Sequence, residues 1–305
     1  MSEEGRLLVA GTVPLESLPL TLAEGKIEDA CLNLDGHRIP CTQGTGALIS
    51  AAAVTLKYLG LKPPLALVAG DAGRGGGSRL IYEYLIERAA EISPEVLVLH
   101  YWLPDLILMK KLCEVVERLP KKPKLIADAA SMYAAKAAGL ASKFDLFTPD
   151  LAELAFLADP EAFHPAYINR HLIDIETGAP KIPSLISQAY EVKGAAKVLL
   201  VKGEADYVVK EGKILEMISE PDIPAMEAIG GTGDTLTGLV SAFIYAGLEL
   251  HEAAVISAKA NRTAGKFAQA SPATRVWEII EQFPLVFKQY LCAWSGVCII
   301  EDSTP

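Results

Sequence analysis

Short runs of leucine and β-branched residues alternate with amphipathic stretches along most of this chain. The run at 65–69 (LALVA) precedes a glycine loop and then SRLIYEYLIERAAEI. The run at 96–100 (VLVLH) precedes DLILMKKLCEVVERL, 125–127 precedes SMYAAKAAGLA, and 144–147 precedes DLAELAFLA. A further apolar run covers 197–201, and the segments 207–209 and 214–217 predict a hairpin around EGK. Strand and helix patterns in alternation predict βαβ units, hence an α/β fold with a mainly parallel sheet and helices on both faces. Continuous runs such as VLVL suit strands buried on both sides. Ligands of such sheets sit beyond the carboxyl ends of the strands, so the turns there are where chemistry is expected.

Composition narrows the function classes. The 305 residues are 51% hydrophobic and 22% charged, which is a soluble, core-forming balance. A formal net charge of −10, with only the short LPKKPK at 119–124 basic, argues against a nucleic-acid partner. The longest uncharged apolar stretches, 47–56 and 290–300, are too short to span a membrane, and the opening MSEEGRLLV lacks the apolar run of a secretory signal. Five cysteines without a CxxC pair argue against a disulfide framework or a zinc site; Cys292 and Cys298, among apolar neighbours, read as buried thiols. These features predict a cytoplasmic protein.

Two glycine loops stand where helices begin. GDAGRGGGSR at 70–79 fails both phosphate-loop patterns: no Lys follows the glycines for GxxxxGK[ST], and Ser78 stands at the third glycine of GxGxxG. It reads either as a turn capped by Ser78 or as a ligand-contacting lid. AIGGTGDTLTG at 228–238 is more informative. After Asp234 the apolar positions Leu236, Leu239, Val240, Phe243 and Ile244 mark one helix face, and Gly247 suits its end. Gly230 to Gly233 then form the entry to a helix, where backbone amides and the helix dipole favour an anion. Asp234 has two readings here. It could cap the helix, as Thr232 could. It could instead be a general base beside a bound phosphate, taking a proton from an attacking hydroxyl.

GGTGDTLTG resembles the GTGD signature of the ribokinase superfamily, and other segments follow in that family's order. IADAASMY from Ile126 is similar to the strand ending in Asp at the substrate pocket. FTPDLAEL at 147–154 is similar to the TPxxxE segment, and VLLVKG at 198–203 to the strand ending in Lys-Gly beside the nucleotide. The order is closest to the NAD(P)H-hydrate dehydratase branch, over residues 40–270. The resemblance implies a three-layer α/β/α sandwich with a mainly parallel central sheet, and we expect residues 1–305 to be one ribokinase-like domain. It implies ATP or ADP and Mg²⁺ as cofactors, a small-molecule substrate, and a homo-oligomer. By residue, it implies Asp234 as the base, with Gly231, Thr232 and Gly233 as the anion hole. Lys202, Gly203, Asp206 and Asn261 would contact the nucleotide, Asp128 and Asp150 the substrate, and Glu153 a hydrated magnesium ion.

Several positions depart from that branch. Asp150 stands where a His usually follows TP, Asp206 where KGxxT has Thr, and Asn261-Arg262-Thr263-Ala264-Gly265 where HGxAG is usual. The loop at 70–79 and HYW at 100–102 have no counterpart in it. His100 and Trp102 follow a strand end, a pocket-facing location in this architecture, and read more readily as a packed core pair. Three functions therefore share the trusted motifs: dehydration of hydrated NADH or NADPH, a plain kinase of a small hydroxyl compound (sugar, vitamin precursor or nucleoside), and a non-catalytic nucleotide sensor. The apolar segment FPLVFKQYLCAWSGVCII at the C-terminal end is expected to dock on the core or on another subunit.

Overall fold

The computed structural model describes residues 5–162 and 182–296. Strands β1 (Leu7–Val13) and β2 (Thr21–Glu24) belong to the main sheet, whereas β3 (Lys26–Glu28), β4 (Cys31–Leu34) and β5 (His37–Pro40) form a separate three-stranded antiparallel sheet. The main sheet continues with β6 (Leu65–Gly70), β7 (Val96–His100), β8 (Lys124–Asp128), β9 (Leu146–Phe147), β10 (Val198–Val201), β11 (Asp206–Lys210) and β12 (Lys213–Ile218). Its order is β12-β11-β10-β9-β8-β7-β1-β6-β2. The central pairs, from β6 through β1 to β10, are parallel; β2, β11 and β12 run antiparallel at the two edges. The hairpin expected around EGK is β11–β12.

Ten helices are seen among the described residues: α1 (Gly44–Tyr58), α2 (Gly76–Ile92), α3 (Leu106–Glu117), α4 (Ala130–Ala137), α5 (Leu151–Ala158), α6 (Ile182–Glu191), α7 (Thr232–Tyr245), α8 (Leu250–Phe267), α9 (Val276–Ile280) and α10 (Phe283–Ser295). Alternation along each strand divides the core into two. Leu7, Val9, Val98 and Leu200 point into the half that holds α1 and α7–α10. Leu8, Ala10, Leu99 and Leu199 point into the half that holds α2–α6. The result is the expected three-layer α/β/α sandwich. The apolar C-terminal segment docks on the core through Phe283, Val286, Phe287 and Leu291 of α10; each such burial contributes about 1.5–3 kcal/mol. Cys292 is disulfide-bonded and solvent-exposed, so its reading as a buried thiol does not hold. Cys298 lies outside the described residues. Cys31, Cys41 and Cys113 are free.

Register brings chemistry to one sheet end. Gly11 pairs with His100, and His100 with Asp128, so the last residues of β7 and β8 stand side by side. Helices α1 and α7 meet over them. Gly238 makes that contact possible, because a Cβ there would lie 2.3 Å from the Leu48 carbonyl oxygen.

Candidate active site

The GTGD segment is the first turn of α7. Gly231 is the N-cap residue at φ 97°, in the left-handed region that a side chain rarely adopts, and no side chain caps the helix. The first-turn amides of Thr232, Gly233 and Asp234 have no intrahelical acceptor to reach, and the dipole adds partial positive charge there. The capping reading of Asp234 and Thr232 therefore fails. Thr232 instead turns its hydroxyl to the Met226 and Ile229 carbonyls.

Asp234 is tied to the opposite helix. Its Oδ2 accepts the Gly44 amide at 2.6 Å, the first amide of α1, which likewise has no side-chain cap. Its Oδ1 lies 3.0 Å from His100 Nε2. His100 is fully buried, and its Nδ1 lies 2.9 Å from the Thr45 hydroxyl. The reading of His100 and Trp102 as a core pair is half right: Trp102 is core and donates to the Ala10 carbonyl, but His100 backs Asp234. Tyr101 between them has φ 54°, a strained value for a non-glycine residue, and its carbonyl accepts from Thr12 Oγ1 at 2.6 Å.

Asp128 is buried at the end of β8. Its Oδ1 accepts from Lys202 Nζ at 2.8 Å and its Oδ2 from the Thr237 hydroxyl at 2.6 Å. Burial alone would raise the Asp128 carboxyl, but Lys202, His100 and these hydrogen bonds outweigh it and hold the carboxyl below the ordinary range. Burial likewise opposes charge on Lys202, yet Asp128 and Glu153 hold that ammonium above its ordinary range. Asp128 does not cap α4.

A cavity of about 410 Å³ opens in front of these groups. Every site residue singled out from the sequence lines it except Gly231: Asp128, Asp150, Glu153, Lys202, Gly203, Asp206, Thr232, Gly233, Asp234 and Asn261. Several of them also hold the walls. Asn261 Nδ2 donates to the Thr232 carbonyl at 3.0 Å and its Oδ1 accepts from Thr235, fastening the GTGD turn. Asp206 accepts from Arg262 Nε at 2.7 Å and from the Gly203 amide. Arg262 also donates to the Gly203, Glu204 and Ser219 carbonyls, so it fixes the turn after β10.

Asp150 and Glu153 form a reciprocal capping box at the start of α5. Burial, reinforced by Asp150 and Asp128 and opposed by Lys202, pushes the Glu153 carboxyl up to about 8. Each acid spends one oxygen on the box, which leaves hard oxygen donors on the cavity wall, the kind a hydrated magnesium ion takes. His100, Asp128 and Asp234 also cluster within 4.8 Å. Their polar atoms, however, are already paired with Thr45, Lys202, Thr237 and Gly44, so the cluster reads as a hydrogen-bond network.

The other glycine loop folds around a carboxylate of its own. Asp71 Oδ1 accepts from the amides of Gly73, Arg74 and Gly75, and its Oδ2 from the amide and hydroxyl of Ser78. The chain's own carboxylate occupies the place an anion would take, so the turn reading is the better one, with Asp71 as the cap in place of Ser78.

Residues 110–282 match the carbohydrate-kinase-type family model described as NAD(P)H-hydrate dehydratase. An uncharacterized protein of Methanocaldococcus jannaschii is 41% identical over 244 residues, 80% of this chain and 100% of that one. An ADP-dependent (S)-NAD(P)H-hydrate dehydratase of Haloterrigena turkmenica is 26% identical over 206 residues, 66% of this chain and 68% of that one. Phosphofructokinase-2 from Escherichia coli, solved with fructose-6-phosphate, superposes with a TM-score of 0.51 at 15% identity, over 92% of this chain and 99% of that one. That likeness shows the fold.

Proposed function

Because this chain belongs to the NAD(P)H-hydrate dehydratase family of the ribokinase-like superfamily, we propose that it uses ADP or ATP to dehydrate hydrated NADH or NADPH. The hydrate hydroxyl attacks the terminal phosphorus of the nucleotide while its proton passes to Asp234. The shortened nucleotide leaves. The ring nitrogen then pushes out the new phosphate with the C–O electron pair, and loss of a ring proton restores the double bond. Gly231, Thr232 and Gly233 bring amides to the charge on the transferring group. Lys202, Gly203, Asp206 and Asn261 face the nucleotide, Asp128 and Asp150 the substrate. Glu153 would hold magnesium, which when bound draws charge from the phosphate oxygens.

The observation that carries this reading is the bonding of Asp234. An acid on the first turn of a helix ordinarily serves that helix; this one is held by Gly44 and His100 from two other elements and lines the cavity. The relatives named as hydrate dehydratases support the substrate class. The test is return of reduced-nicotinamide absorbance from hydrated NADPH with ADP, then ATP, plus magnesium. Return that vanishes with Asp234→Asn supports both the reaction and the base. No return, with nucleotide still bound, rejects the dehydratase and directs the search to small hydroxyl compounds as phosphoryl acceptors.

A further inference from the structure

The hydrogen bonds behind Asp234 have a fixed direction. Thr12 offers a carbonyl, which only accepts, so the single hydroxyl hydrogen of Thr45 goes to it at 2.7 Å. Thr45 Oγ1 is then the acceptor for His100 Nδ1, 2.9 Å away, and Nδ1 must carry a hydrogen. The other ring nitrogen, Nε2, faces Asp234 Oδ1 at 3.0 Å and Asp128 Oδ2 at 3.7 Å. A bare Nε2 would set its lone pair against two carboxylates with no water to relieve it, since His100 has no exposed surface.

Charge balance points the same way by a separate route. Asp128 and Asp234 bring two negative charges to the buried end of the cavity, and Lys202 on the turn after β10 brings one positive charge. The other titratable groups near this cluster are Tyr101, Tyr133, Asp150 and Glu153, all phenols or carboxyls, and none of them supplies a cation. A second positive charge on His100 closes the balance that buried charges require.

We propose that His100 carries hydrogens on both ring nitrogens and is the positioning residue for Asp234, held in place by the Thr12–Thr45 relay. The proposal rests on reading Asp234 as the base. The Nε2 hydrogen fixes Oδ1, and Oδ2 keeps a lone pair beyond the one Gly44 uses. When the substrate hydroxyl gives its proton to Oδ2, its O–H electron pair goes to phosphorus.

Nitrogen-15 NMR of the imidazoles, with His100 assigned through His100→Gln, tests this without any substrate. Near neutral pH both His100 nitrogens give protonated shifts in the wild-type protein. Asp234→Asn leaves Nδ1 protonated and Nε2 bare. A bare Nε2 or a bare Nδ1 in the wild type overturns the proposal, whether or not the dehydratase reading survives. Kinetics on whichever substrate is turned over supply the second arm. His100→Gln lowers kcat about 10–100-fold through loss of a charge-assisted hydrogen bond, with KM little changed. Thr45→Val lowers kcat about 10-fold, and Thr45→Ser, which keeps the hydroxyl, restores it. An unchanged kcat in His100→Gln, or a serine variant as slow as the valine one, overturns the relay.

Discussion

Oδ2 of Asp234 accepts the amide of Gly44 at 2.6 Å, although 190 positions separate the two residues. The bond joins the N-terminus of α7 to that of α1 at the acid itself. Asp234→Asn can keep this bond through its amide oxygen, so the fold should survive while the proton acceptor is lost. We expect kcat to fall by about 10²–10⁴-fold with nucleotide binding retained. Turnover assays beside calorimetric titration of nucleotide check both halves.

The meeting of α1 and α7 depends on an absent side chain. Gly238→Ala would put a methyl 2.3 Å from the Leu48 carbonyl oxygen and 2.9 Å from Ala51 Cβ. The helices must part, at a cost of about 1–3 kcal/mol. Urea unfolding should show a lower midpoint with an unchanged slope. Because parting also moves Gly44 from Asp234, kcat should fall more than a surface substitution of equal instability would cause.

Arg262 stabilises a wall of the cavity from within. Arg262→Met leaves the Asp206 carboxylate buried without its 2.7 Å partner, and stability should drop by about 3–5 kcal/mol. The paired change Arg262→Met with Asp206→Leu should recover much of that loss in thermal melts. Nucleotide binding should not recover with it, since the Gly203 and Glu204 carbonyls stay unheld.

Glu153 makes stability depend on pH. Its carboxyl moves from an ordinary 4.5 to about 8 on folding, chiefly through burial. Between those values the folded protein keeps a proton that the unfolded chain has released, so stability falls as pH rises through that window and levels off above about 8. Glu153→Gln should flatten the fall and melt above wild type at the alkaline end. Magnesium should raise the wild-type melting temperature there and leave the variant unmoved.

Asp71 gathers four amides into its turn. Asp71→Ala should cost about 0.5–2 kcal/mol, as loss of a helix cap does. Nucleotide affinity should stay at the wild-type value. A large loss of affinity would instead make 70–79 part of the binding site.

Much of the architecture is legible in the chain because strand runs, turn glycines and helix stripes are local signals. Gly247 at a φ of 97° after α7 and the hairpin around EGK are cases of this kind. Asp234, Lys202 and Asn261 announce themselves by motif. His100 does not, because its meaning comes from register: only the alignment of β1, β7 and β8 puts it beside Asp128 and under Asp234. Gly44 and Thr45 stay silent for the same reason, as do the five strands before residue 41. Asp71 shows a different failure. A glycine-rich turn before a helix gives the same sequence signal whether its amides face a ligand or a carboxylate of the chain.

The N-terminus of α7 faces a pocket in a protein whose formal net charge is −10. The partial charges at helix ends act within about one turn, whereas the net charge is felt out to the Debye length, about 10 Å in 0.1 M salt. An anionic ligand is therefore repelled on approach and held on arrival. Added salt should speed its capture before it weakens its retention, the reverse of an electrostatically steered encounter.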